Sequence, residues 1–199
     1  SLVGSEMCIR DRFIIVVILF IVKSTYAQNE ITGFLGVKFG DTNYVAIDIL
    51  KKKFPQLEYN FPYINIPQIS FLGTTFDSLV ITFKEGKLVE GTFSLSETTS
   101  ALLNEYPFRT QEQTQATIKN KQEYIVNKYT QLFNDIGNTF VIKYGKPQFP
   151  SEGTAIWRDN KLNSIKINSS IESRNGSNII YFDGKLAITY QVGMSTDEF

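Results

Sequence analysis

The chain has 199 residues, 20 basic and 20 acidic side chains, one cysteine and no histidine. A balanced charge excludes the strongly basic face that nucleic-acid binding uses, and a single cysteine excludes a disulfide-stapled scaffold. Without imidazole, the usual base of serine and cysteine hydrolases and the commonest zinc ligand are missing, which leaves carboxylates, lysine and tyrosine as chemical actors.

Residues 1–12 show no hydrophobic period. Within them, Leu2-Val3-Gly4-Ser5-Glu6-Met7-Cys8-Ile9-Arg10-Asp11 resembles a translated library adapter, and the stretch is set aside before fold reasoning. The alternative is that Met7 is an initiator and Arg10 and Arg12 form a basic leader. Phe13 to Val22 is a run of ten apolar residues. A spanning helix needs roughly 20, whereas the apolar part of an export signal is about 7–15. Lys23-Ser24-Thr25-Tyr26-Ala27 then places Thr25 and Ala27 before a cut at Ala27–Gln28. Residues 13–27 are therefore expected to act as a signal peptide, delivering a periplasmic or secreted body. No cysteine follows to carry a lipid, and no stable membrane span is expected once the signal is removed.

The first unit is placed at residues 28–96. Ile31 to Gly40 opens as a short apolar strand-like run. Asp41 is the expected N-cap of a helix whose face is Tyr44, Ile47, Leu50 and Phe54, spaced at helical steps. Lys51, Lys52 and Lys53 suit the negative end of its dipole, and Pro55 stops it. Leu57 to Ile69, broken by Pro62 and Pro67, predicts an edge strand or irregular crossing. Phe76–Phe83 and Leu88–Leu95 around Lys84-Glu85-Gly86-Lys87 predict a hairpin.

Residues 97–109 are polar and contain Pro107, which predicts a linker. The second unit, 110–191, starts with a capping box, Thr110 with Gln113. Ile118, Ile125, Tyr129, Leu132, Ile136, Phe140 and Tyr144 form one long apolar stripe, with a kink or a brief break expected at Gly137-Asn138. Gly145 and Pro147 end it. Strands follow at Thr154–Trp157 and Leu162–Asn168 about an Arg158–Lys161 turn. Asn175-Gly176 predicts a further turn. Asp183-Gly184 predicts a two-residue hairpin turn inside Ile179–Tyr190. Residues 192–199 are expected to be a tail or the truncated start of a further helix, since Ser195 and Glu198 form a second capping box.

Ile81–Leu88 and Ile180–Leu186 rhyme, which predicts two helix-plus-meander units, although hairpins also resemble one another through turn chemistry alone. The fold class is α+β: two helix-plus-antiparallel-meander units, with helices on one sheet face. Phe39-Gly40-Asp41-Thr42 and Gly193-Met194-Ser195-Thr196-Asp197-Glu198 resemble the Gly-Met-Ser/Thr helix openings of β-lactamase-inhibitor-like domains and outer-membrane-assembly lipoproteins. The meanders are similar to those of uncharacterised secreted Bacteroidetes proteins. The chain departs from these families in lacking a lipobox cysteine and a disulfide pair, and in having Asp41-Thr42 for Met-Ser. The resemblance implies a binding or envelope role and transfers no site residue.

Among carboxylates, Asp77, Glu85, Glu90, Asp159, Glu172 and Asp183 are candidates for glycan chemistry, which needs two facing each other across a cleft. Turn chemistry accounts more simply for Glu85, Asp159 and Asp183. Tyr59, Phe61 and Tyr63 alternate and are expected on one face. If exposed, they form a binding strip. Trp157 is either a partner anchor or core filling between sheet and helix. The expected function is an exported, non-enzymatic binding or envelope-associated protein whose partner is another envelope or secreted protein, with no nucleic acid, metal or cofactor. The alternative is a carboxylate- or tyrosine-dependent enzyme on cell-wall or glycan substrates.

Overall fold

A computed structural model describes residues 29–103 and 110–193. The adapter-like stretch, the signal segment, the Ala27–Gln28 junction and the Ser195–Glu198 capping box lie outside the described residues. The fold is α+β. A two-stranded ribbon, β1 (Gly33–Phe34) and β2 (Val37–Lys38), leads to helix α1 (Asn43–Lys53). Four strands follow: β3 (Glu58–Asn60), β4 (Tyr63–Phe71), β5 (Thr74–Lys84) and β6 (Lys87–Leu102). Helix α2 (Gln111–Tyr144) precedes β7 (Gln148–Ser151), β8 (Thr154–Arg158), β9 (Ser164–Asn175) and β10 (Ile179–Gln191).

All strands from β3 onward form one antiparallel sheet in the order β3-β4-β5-β6-β10-β9-β8-β7. Each helix is thus followed by a four-stranded meander, and the two meanders join last strand to last strand. The seam runs from Glu90↔Gln191 to Leu102↔Ile179. The helices and the β1–β2 ribbon bury one face of this sheet in a single core. The other face is polar. There Thr92 and Thr189 lie 3.1 Å apart across the seam, Asp183 accepts from Thr98 at 2.5 Å and from Arg174 at 2.8 Å, and Lys185 pairs with Glu172 at 3.1 Å. A one-sided antiparallel sheet of this kind needs no second cover.

Local chemistry explains most boundaries. Thr110 accepts from the Gln113 amide while the Gln113 side chain accepts from the Thr110 amide, the reciprocal cap its sequence predicts. The α1 cap is Thr42 and not Asp41. The Thr42 hydroxyl accepts from Val45, while Asp41 turns back to accept from the Lys38 amide at 2.8 Å. The α1 core contacts are Ala46 and Leu50; Tyr44, expected on that face, is 80% exposed. Glu85 and Gly86 both have positive φ, 53° and 72°, which matches the twist of the β5–β6 hairpin.

Four expectations need correction. Asp183-Gly184 makes no turn: β10 runs straight through it. The glycine is there because the Tyr129 ring lies against it, and a Cβ would sit 2.3 Å from that ring. The rhyme between Ile81–Leu88 and Ile180–Leu186 therefore joins a hairpin to a mid-strand segment, although the two-meander arrangement stands. Residues 97–102, read as linker, continue β6, because β10 supplies a partner along their whole length. Helix α2 passes through Gly137-Asn138 without a break. The Leu57–Ile69 stretch does hold the sheet's edge strand, β3, but as the first arm of a hairpin whose second strand, β4, lies between β3 and β5. Pro67 is accommodated because β3 covers β4 only from Tyr63 to Asn65. Past Gln68, whose φ is 51°, Ile69, Phe71 and Phe76 also face the core.

Candidate functional site

The aromatic residues singled out by their spacing separate into two kinds. Trp157 is 1% exposed. Its indole N–H donates to the Gly145 carbonyl at 2.8 Å, and its ring meets Phe140 edge-on. It fills the core and offers no surface to a partner. Tyr59, Phe61 and Tyr63 are 40%, 67% and 49% exposed. They do not share a face, because the chain reverses between them. Tyr59 lies opposite Ile64 and so on the core side, whereas Tyr63 lies opposite Asn60 on the polar side. Together they wrap the outer edge of the sheet, with Phe61 at the turn.

Helix α1 completes this edge. The Asn43 side chain donates to the Tyr59 hydroxyl at 2.7 Å, and the neighbouring Tyr44 stands out into solvent. Scattered exposed apolar residues are ordinary on a protein surface, but contiguous large ones are informative. Four exposed aromatics around one hairpin and one helix start form the candidate binding edge. Tyr44 was missed in the sequence because its helical spacing placed it on the buried face.

The carboxylates are mostly engaged in holding the fold. Asp77 accepts from the Ser96 amide at 2.7 Å. Asp159, 5% exposed, accepts from the amides of Ile31, Lys161 and Asn163 and from the Asn163 side chain. Hydrogen bonds from Thr98 and Arg174 hold Asp183 below the usual carboxylate range. A hollow of about 420 Å³ is lined by two glutamates, Glu152 and Glu172. Glu172 is already paired with Lys185 at 3.1 Å. Among the described residues no group of three acidic or sulfur ligands is placed to hold a metal, and no helix is long and apolar enough to cross a membrane.

A polar clamp lies under α2. Lys128 reaches Glu97 on β6, and Tyr124 donates to the same carboxylate at 3.1 Å. The Lys128 hydrogen bond holds Glu97 below the usual carboxylate range and raises Lys128 in turn. Beside it, Tyr129 is fully buried, and its hydroxyl has no hydrogen-bond partner among the described residues. Burial, then the Glu97 and Asp77 charges, push its ionisation up. Such a phenol stays neutral and is not a general base. An orphaned buried hydroxyl costs about 1–3 kcal/mol, so Tyr129→Phe is expected to leave stability unchanged or raise it by about 1 kcal/mol, as read by urea unfolding. A loss above about 1 kcal/mol would show that the hydroxyl has a partner.

Comparison with protein-family models, with curated proteins and with solved structures finds no match for this chain.

Proposed function

We propose that the protein is an exported binding or envelope-associated protein that engages another protein through its aromatic edge. The observation that carries this is the exposure of Tyr44, Tyr59, Phe61 and Tyr63 around the β3 hairpin, at 80%, 40%, 67% and 49%. Tyrosine and phenylalanine supply large, stiff contact area and recur in the centres of protein interfaces. The export signal at residues 13–27 and the resemblance to inhibitor-like and envelope domains support the same role.

The test uses the protein as bait against the envelope and secreted fractions of its own cells. A specific partner should be recovered, and Phe61→Ser combined with Tyr63→Ser should weaken its binding about thirtyfold, the effect of losing about 2 kcal/mol of hot-spot contact. The recovered protein should begin at Gln28 by intact mass. The alternative, a carboxylate-dependent glycan enzyme, draws support only from Glu152 and Glu172 sharing a hollow. Turnover of glycan that is lost in Glu152→Gln, with no partner recovered, would replace the binding role with that one.

A further inference from the structure

A second site lies on the other half of the sheet, independent of the aromatic edge. β8 pairs with β9 only from Thr154↔Asn168 to Arg158↔Ser164, whereas β9 continues along β10 to Asn175. The last contact on the β8 side is the Ser169 amide, which donates to the Gly153 carbonyl at 2.8 Å. Beyond it, β9 has no strand neighbour on that side among the described residues. Successive residues of a strand aim their main-chain groups to alternate sides. The N–H and C=O of Ile171 and Ser173 therefore point the same way as the Ser169 amide, into the gap. They lie about 7 Å apart, the two-residue repeat of an extended chain.

Helix α2 overhangs this gap. Val126, Thr130 and Phe133 on the helix, with Ile171 and Phe182 on the sheet, line the hollow of about 420 Å³. Ile165 and Ile167, where β8 is present, are fully buried; Ile171, on the same side of the same strand, is 37% exposed. The sheet's outer edges, by contrast, are short or carry proline: β3 has three residues, the part of β4 it leaves uncovered contains Pro67, and β7 has four residues and contains Pro150. Short strands and proline are how sheets discourage edge pairing. The β9 stretch from Ser169 to Asn175 carries no proline.

Glu152 stands at the end of the hollow where β8 begins. Unlike Glu172, its carboxylate has no hydrogen-bond or ion partner among the described residues. An antiparallel guest would run in the direction of β8, so its C-terminal end would meet Gly153 and Glu152.

We propose that this gap takes an extended peptide of a partner protein as an added antiparallel strand along Ser169–Asn175, with small apolar side chains at alternate positions under α2 and a lysine or arginine at its C-terminal end beside Glu152. Main-chain pairing supplies affinity in such strand addition, and the side-chain pockets supply selectivity.

The probe is a fluorescein-labelled peptide, Val-Thr-Val-Thr-Val-Lys, titrated against the exported protein by fluorescence anisotropy. Two companions are the same peptide ending in glutamate and one N-methylated at alternate amides. The lysine peptide should bind saturably. The glutamate peptide should bind about tenfold more weakly and the N-methylated one about tenfold or more. Glu152→Lys, on an exposed turn, should reverse the preference between lysine and glutamate ends. Ser173→Pro should abolish binding. Should that variant lose its fold by circular dichroism, amide exchange in the unaltered protein gives the same information, because the Ile171 and Ser173 amides should exchange fast alone and slowly in the complex. The proposal is overturned if no peptide saturates, or if binding ignores both N-methylation and Glu152→Lys. It is equally overturned if these two amides are already slow in the free protein, which would mean the chain's own segment fills the gap. Slowing that grows with protein concentration would assign the gap to a second copy instead.

Discussion

Gly184→Ala is expected to lower stability by about 3 kcal/mol. A glycine inside a strand normally costs about 0.5–1 kcal/mol relative to alanine, so the sign is opposite to that of an ordinary strand position. The reason is steric. An added Cβ would lie 2.3, 2.5 and 2.8 Å from three atoms of the Tyr129 ring. That ring is fully buried beneath a 34-residue helix and has nowhere to retreat. Gly91 repeats the arrangement on the other side of the seam, where the Phe34 ring would be 2.0 Å from a Cβ. Chemical unfolding of Gly184→Ala, with the urea slope unchanged, measures the loss. Adding Tyr129→Leu to Gly184→Ala should restore part of it, because the two residues share one space and their effects are not additive. A Gly184→Ala protein as stable as the parent would mean that α2 does not press on the sheet there.

Asp159→Ala is expected to cost about 3–5 kcal/mol, enough to threaten folding in a domain of ordinary stability. Its carboxylate is the shared acceptor of three main-chain amides and one side-chain amide. Removing it strands donors in a buried place, which is worse than never having made the bonds. Two of them close the β8–β9 turn, at Lys161 and Asn163, and a third, Ile31, belongs to the segment before β1. The variant should therefore loosen two distant parts of the chain at once. Asp159→Asn keeps one acceptor oxygen and should fall between parent and alanine. Thermal unfolding ranks the three, and faster exchange of the Ile31 amide reports the long-range tie. Fast exchange confined to the turn would deny that tie.

Much of the fold was legible because local chemistry and periodicity agreed. The Thr110–Gln113 cap, the α2 stripe, the Glu85-Gly86 turn and the alternation of Ile165 and Ile167 each carry a local physical cause. Legibility failed where a residue serves a distant neighbour. Asp183-Gly184 has the composition of a tight turn, yet Asp183 bridges Thr98 and Arg174 on adjacent strands and Gly184 makes room for Tyr129. Glu97 to Leu102 looks like a linker because its strand character comes from pairing with β10, most of a hundred residues on. Tyr59 and Tyr63 looked like one strip because period two holds only until a chain turns. The β9 gap had no signature at all, since what makes it is a β8 that begins only opposite Asn168.

The seam between β6 and β10 has a bearing on how the polypeptide is made. Every other neighbour in the sheet is adjacent in sequence, so each meander can zip up hairpin by hairpin as it emerges, N-terminal half first. β6 alone must wait, its sixteen residues offering a bare flank, until the ribosome has added α2 and four further strands, the last of them β10. Closing so long a loop is the slow event in a mainly antiparallel protein. During that interval the half-finished sheet is the species most open to pairing with the wrong neighbour, and the one a chaperone has most reason to shield.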